Sequence, residues 1–196
     1  MTKATIELLD ITPNAEQKIA SYAAICYDSD TSEEANNRRI KHLMKVKHLA
    51  TLRFAHATFK VSGISRACSH QFVRSKHLVF LQRSQRYCSE GGFEYVEPVF
   101  NNVDEMITFR TAMEDASIAY NRLIELGMKK EDSRAVLPNA TTTELIVTGN
   151  LQAWKDFIKL RSTKAAQQEI REVALDIQEK LMVECPNVFK KEIDNG

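Results

Sequence analysis

The 196-residue chain is sparing with the residues that cross-link, stiffen or loosen a backbone: four cysteines, four prolines and six glycines. Cys26, Cys68, Cys88 and Cys185 lie far apart and form no CxxC pair. That pattern argues against a zinc site or a disulfide framework and leaves reduced thiols as the expectation, with no metal. Scarce glycine has a second consequence. Neither GxGxxG nor GxxxxGK[ST] occurs, so nucleotide or flavin phosphates are not expected to rest in a glycine-rich loop of those kinds. No run approaches the ~18 consecutive apolar residues of a membrane span, and the first twenty residues lack the charged start and apolar middle of a signal peptide. A cytoplasmic protein with no membrane segment is expected.

Acid is missing too, over a long stretch. No Asp or Glu occurs between Glu34 and Glu90, while Ala35 to Ser89 holds 12 of the 27 Lys and Arg residues and all five histidines. Behind a net charge of only +1 stands a basic segment that attracts phosphate-bearing ligands. Those ligands are nucleotides or, alternatively, nucleic acid, with Phe72, Phe80 and Tyr87 as stacking residues.

What the chain has in quantity is apolar side chains, 43% of its positions, enough for one sizeable core and a single domain over 1–196. Residues 4–11 alternate apolar and β-branched positions and predict a strand. Thr12-Pro13 predicts a cap and first-turn proline for a helix to about Tyr27. Thr31 with Glu34 fits a capping box for a second helix, its stripe Ile40, Leu43 and Met44. From His56 to Val61, Ala57, Phe59 and Val61 share one strand face and His56, Thr58 and Lys60 the other. Gly63 is expected to end this strand and a helix to follow through Phe72, placing His70 and Arg74 one turn apart.

Leu78 to Leu81 is too short to type by periodicity and reads as an irregular or extended turn. A long helix over 101–126, stopped by Gly127, carries Val103, Met106, Met113, Ala116, Tyr120 and Leu123 as a core or subunit-interface stripe. A strand at 141–148, a helix on Leu151, Trp154, Phe157 and Ile158, and a final helix from Ala166 to Leu181 complete the order. Trp154 is expected in the core. Three strands in this rhythm do not make a doubly wound sheet. The class is α+β, a small and mostly antiparallel sheet packed with several helices.

Chemistry concentrates between Gln71 and Arg86. Cations on Arg74, Lys76 and Arg86, a hydroxyl on Ser84 and carboxamides on Gln71 and Gln82 are the groups a nucleoside monophosphate needs for its phosphate and its base or ribose edges. The segment Ser65-Arg66, His70-Gln71, Arg74 and Ser84-Gln85-Arg86-Tyr87 resembles the signature of the flavin-dependent thymidylate synthases, SRxxxHQxxRHRxxSxxxxSQRY. Phe54 to Phe59 is similar to the family's FEHxxF strand. Ser133 to Pro138 is similar to ARxVLP, and Leu160-Arg161 with Ala166 to Ile170 to LR…AQxEI. Ser75 and Lys76 replace the family's His and Arg, and Ala55 replaces its acid.

The resemblance implies reductive methylation of dUMP to dTMP. Methylenetetrahydrofolate is the carbon source, FAD the hydride carrier and NADPH the reductant, in a homotetramer whose sites are shared between subunits. It places dUMP on Gln71, Phe72, Val73, Arg74, Gln82, Arg83, Ser84, Gln85, Arg86, Arg134 and Arg161. Arg161 matches the arginine that stabilises the ionised uracil N3. FAD falls to His56, Thr58, Arg74, Ser75, Lys76, Gln82, Asn150, Leu151, Gln152 and Asp156. No cysteine nucleophile is implied, and Cys88 reads as a structural thiol.

Overall fold

A computed structural model describes residues 4–190. Four strands form one sheet in the order β1-β2-β4-β3: β1 Thr5–Ile11, β2 His56–Ser65, β3 Leu78–Gln82 and β4 Thr142–Asn150. The helices are α1 Ala15–Ala24, α2 Glu33–Lys45, α3 Arg66–Phe72, α4 Val103–Glu125, the single turn α5 Lys130–Ser133, α6 Leu151–Arg161 and α7 Gln168–Glu184. Short 3₁₀ turns cover Ile25–Tyr27, Leu49–Phe54 and Arg134–Val136. The α+β class expected from the sequence is what the chain adopts.

Several boundaries differ from the sequence pattern, each for a local reason. Thr12 does not cap α1. Its Oγ1 accepts from His56 N (2.9 Å) and its own N donates to His56 O (2.9 Å), so the residue is consumed by pairing with the start of β2. The cap moves to Asn14, which takes the left-handed conformation that Asn tolerates (φ 52°). Ser32, not Thr31, caps α2, its hydroxyl accepting from Ala35 N at 3.4 Å. Thr31 instead offers its carbonyl to Asn36.

Gly63 does not end β2. It sits inside the strand at φ 71°, a backbone state open to glycine at no steric cost, and the strand runs on to Ser65. Because α3 stops at Phe72, Arg74 lies in the turn beyond it and not on a shared helix face with His70. Leu78 to Leu81 belongs to a strand, β3. Hydrogen bonding to β4 decides this, and five residues carry no periodicity that would reveal it.

Contacts divide the chain into two compact groups. The first holds residues 61–72 and 81–145, with Ile64, Phe72, Met113, Tyr120 and Leu145 buried. Its long helix α4 begins at a cap from Asn102 Oδ1 to Glu105 N (2.9 Å) and ends at Gly127, φ 86°. Of the expected α4 stripe only Met113 and Tyr120 are buried, while Val103 is 63% exposed.

The second group holds residues 6–60, 73–80 and 146–190. Phe59, Leu151, Trp154, Ile170, Ile177 and Leu181 form its core with Ile19, Ile40 and Leu52. Trp154 packs edge-on to Phe59 (5.0 Å) and Phe157 (6.0 Å), and its indole N–H donates to Ala57 O at 3.0 Å. Burying a polar tip is tolerated because it is paired. Here too β3 and β4 approach so closely that a Cβ on Gly149 would overlap the end of the Leu78 side chain, which would have to move to admit it.

Candidate active site

Within the first group, the residues assigned to dUMP by resemblance converge on the end of β3 and the loop after it. Gln82, the last residue of β3, is held by its amide, which donates to Ser69 Oγ (2.9 Å) and Thr143 Oγ1 (3.3 Å). Ser84 Oγ accepts from Arg86 N at 3.2 Å and its carbonyl accepts from Cys88 N at 3.0 Å, which curls Ser84 to Cys88 into one turn. Arg86 lies half exposed, its Nη2 and Nε on Glu131 Oε2 at 3.1 and 3.3 Å, and its guanidinium carbon 5.6 Å from the Tyr87 ring centre. Arg134 Nε donates to the backbone carbonyl of the same Glu131, at 3.1 Å. Two arginines 48 positions apart in the chain thus meet at one residue of α5. Next to Glu131, Lys130 Nζ donates to Tyr87 O (3.1 Å).

Arg83 behaves differently from its neighbours. Its guanidinium is taken by Glu90, and that hydrogen bond chiefly raises its pKa above the ordinary arginine value. Its side chain is thereby committed to Glu90, as its backbone N and O are to Glu144 O and Arg66. Of the residues assigned to dUMP, Arg83 alone lines the cleft of about 480 Å³ formed with Ser62, Thr142 and Glu144. Gln71 is half buried and Phe72 fully buried on α3.

Arg66, which opens α3, was not among the sequence-derived site residues. Nη2 of Arg66 donates to Arg83 O (2.8 Å), and its buried Nε finds no acceptor among the described residues. Desolvation lowers its pKa first, and the nearby charges of Arg134 and Arg83 add to this. The signal was present in the sequence as the Ser65-Arg66 pair of the signature. Glu90 and Glu131, by contrast, carry no motif.

The second group carries most of the residues assigned to FAD. His56 is exposed at the start of β2, and Thr58 shares a hydroxyl hydrogen bond with Thr148 (2.8 Å). Asn150 caps α6 by accepting from Ala153 N (2.9 Å), Leu151 is buried with its N donating to Ala55 O (2.9 Å), and Gln152 Nε2 donates to Asp156 Oδ1 (2.8 Å). Val73, Arg74, Ser75 and Lys76 form the turn before β3, with Arg74 and Lys76 exposed. Arg161 ends α6, half buried. Ala55, where the signature has an acid, is fully buried.

Two side-chain atoms in this set are buried with no partner among the described residues: Ser75 Oγ and Gln152 Oε1. Buried polar atoms are nearly always satisfied, by protein, water or ligand.

The basic segment is less bare than its sequence suggests. Arg38 pairs with Glu34, Arg39 donates to Asn36 Oδ1 and the Asp30 carbonyl, and Arg83 and Arg86 take Glu90 and Glu131. Acids bordering or beyond the segment pair with Arg38, Arg83 and Arg86, three of its twelve cations. All four cysteines are free. Cys68 and Cys185 are buried, and burial pushes the Cys185 thiol up to about 12. No helix among the described residues is long and apolar enough to cross a membrane.

The family described as "Thymidylate synthase complementing protein" matches residues 7–187, nearly the whole chain. This chain belongs to the flavin-dependent thymidylate synthase family. The enzyme of that name from Corynebacterium glutamicum is 34% identical over 95% of this chain and 83% of its own length. Those from Geobacter sulfurreducens and Clostridium tetani are 35% and 33% identical, each over 94% of this chain and 85% of their own. Family membership extends over both compact groups, since the matched span includes all of β1 to β4 except the first two residues of β1.

Proposed function

We propose that the chain catalyses the reductive methylation of dUMP to dTMP, taking the carbon from methylenetetrahydrofolate and reducing equivalents from NADPH through FAD. The reading includes a single functional domain, a cytoplasmic homotetramer and sites shared between subunits. The observation that carries it is the meeting of Arg86 and Arg134 at Glu131 beside Ser84. Arg86 donates to the side chain of Glu131 and Arg134 to its backbone carbonyl, Ser84 Oγ accepts from Arg86 N, and Arg presents its donors in a planar fork suited to a phosphate monoester.

In this reading Ser84, Arg86 and Arg134 hold the dUMP phosphate, and Gln71, Phe72, Val73, Arg74, Arg83 and Gln85 complete its surroundings. Gln82 keeps its carbonyl oxygen for the base or ribose while its amide nitrogen is anchored to Ser69 and Thr143. Arg161 stabilises negative charge on the ionised uracil, which makes C5 the nucleophilic carbon. FAD is held by His56, Thr58, Arg74, Ser75, Lys76, Gln82, Asn150, Leu151, Gln152 and Asp156. The unsatisfied Ser75 Oγ and Gln152 Oε1 support this fit. When bound, FAD supplies the two-electron reduction that completes the methyl group. The protein contributes position, charge and exclusion of water.

The test is dTMP formation by purified protein given dUMP, methylenetetrahydrofolate, FAD and NADPH, with the visible spectrum recorded first. A yellow protein that makes dTMP only when dUMP, methylenetetrahydrofolate and NADPH are all present is expected. A colourless protein that retains RNA or DNA and makes no dTMP overturns the reading.

A further inference from the structure

Arg83 and Glu90 stand at the two ends of the Ser84–Ser89 loop. Arg83 Nη1 donates to Glu90 Oε1 at 2.7 Å, and Arg83 Nη2 reaches Ser89 O at 3.4 Å. The Glu90 side chain is only 4% exposed, so its charge depends on this partner. Both ends are also fixed through the backbone. Arg83 N donates to Glu144 O (3.0 Å), Arg83 O accepts from Arg66, Glu90 N donates to the Tyr120 hydroxyl (3.2 Å), and Glu90 O accepts from Phe93 N (3.1 Å). Between these ends the chain has neither helix nor strand. The Ser84–Cys88 turn and the Arg86–Glu131 pair hold the loop from within, and the contacts of Arg83 and Glu90 hold its base.

We propose that the Arg83–Glu90 ion pair is a clasp that closes the Ser84–Ser89 loop and sets the stance of Ser84 and Arg86 toward the substrate phosphate, which makes Glu90 a positioning residue. The proposal rests on the assignment of Ser84 and Arg86 to dUMP. Arg83 then serves the substrate without touching its phosphate by side chain. A buried carboxylate seven residues from its cation shortens the loop's conformational search before any ligand arrives, and a preorganised site binds more tightly for that reason. Removing either partner leaves the other charge uncompensated and releases the loop base.

The experiment is calorimetric titration of FAD-loaded protein with dUMP and with deoxyuridine, together with steady-state kinetics. Glu90→Gln and Arg83→Met should each weaken dUMP by about tenfold, short of the ~10² that a misplacement of an ångström can cost, and leave deoxyuridine affinity unchanged. In Glu90→Gln the loss should appear in KM, with kcat changed less than about threefold. The double variant should be no worse than the poorer single one, as expected for two residues acting as one unit. Arg83→Lys should recover most of the affinity.

Unchanged dUMP affinity, additive losses, or equal losses for dUMP and deoxyuridine overturn the clasp. If Glu90→Gln does not fold, the half-exposed partner carries the test, because equal dUMP affinity in Arg83→Met and Arg83→Lys overturns it. Arg86→Ala separates the two ideas. If it spares dUMP, the phosphate assignment falls, whereas if it weakens dUMP and Arg83→Met does not, only the clasp falls.

Discussion

The two compact groups solve ligand binding in different ways. In residues 61–72 and 81–145 two candidate dUMP arginines and an amide already have protein partners: Arg86 has Glu131, Arg83 has Glu90, and Gln82 has Ser69 and Thr143. In residues 6–60, 73–80 and 146–190 the candidate FAD residues combine the exposed cations Arg74 and Lys76 with hydroxyls, amides and a helix cap, and two of their atoms have no partner among the described residues. The first arrangement holds cations in place by giving them acids, which a phosphate then joins or displaces. The second leaves two buried polar atoms without a partner among the described residues.

Arg161→Ala tests the comparison most severely, because this residue of the FAD-side group is assigned to charge on the uracil. We expect a ~10²–10³-fold loss of dTMP formation, the usual cost of one charge-stabilising donor, with flavin content and assembly retained. Rapid dTMP formation by the variant would remove Arg161 from the chemistry. Next in size is Arg86→Ala, which should weaken dUMP by more than about tenfold, since hydrogen bonds to charged groups are worth ~1.5–3 kcal/mol; Ser84→Ala should cost only a few-fold. Titrations with dUMP and deoxyuridine check both, and equal weakening of the two ligands by Arg86→Ala would show that Arg86 is not the phosphate ligand.

Asn150→Ala removes the α6 cap and should cost about 1 kcal/mol of stability, read by denaturant unfolding, together with a measurable loss of FAD. Loss of stability with FAD affinity unchanged would confine Asn150 to capping. Smallest is the double variant Ser75→His with Lys76→Arg, which restores the family signature. It should bind FAD a few-fold more tightly and with a shallower salt dependence than the native sequence, because Lys76 meets phosphate only as a point charge. FAD titrations from low to high ionic strength decide this, and identical affinity and salt slope in both proteins would show that these residues do not set the hold on flavin.

Periodicity and caps made most elements readable from the sequence. The strand face His56, Thr58 and Lys60 and the helix on Leu151, Trp154, Phe157 and Ile158 are where the pattern puts them, since one face of each is core and the other is not. β3 was hidden because its identity comes from pairing with β4, not from its own five residues. Thr12 misled for a related reason, its capping hydroxyl being claimed by His56 from 44 positions away. In the candidate site, the arginines and Ser84 were visible through the family signature, but the acids that hold them were not. Glu131 and Glu90 work through distance in space, for which neither spacing nor composition supplies a sign. Glu90 had one unread hint, as the first acid after the long basic segment.

Trp154 is the only tryptophan in the chain, and it sits in the core of the FAD-side group against Phe59 and Phe157. Its fluorescence is thus a private channel to that group, while Tyr87, Tyr95 and Tyr120 belong to the other. Followed during unfolding, indole emission reports when the first of these environments opens, and far-ultraviolet circular dichroism reports the helices of both. Coincident curves would mean that the two groups melt as one cooperative unit; separated curves would give each its own midpoint. A single buried indole thereby turns a question about domain architecture into an optical measurement that needs no label and no mutation.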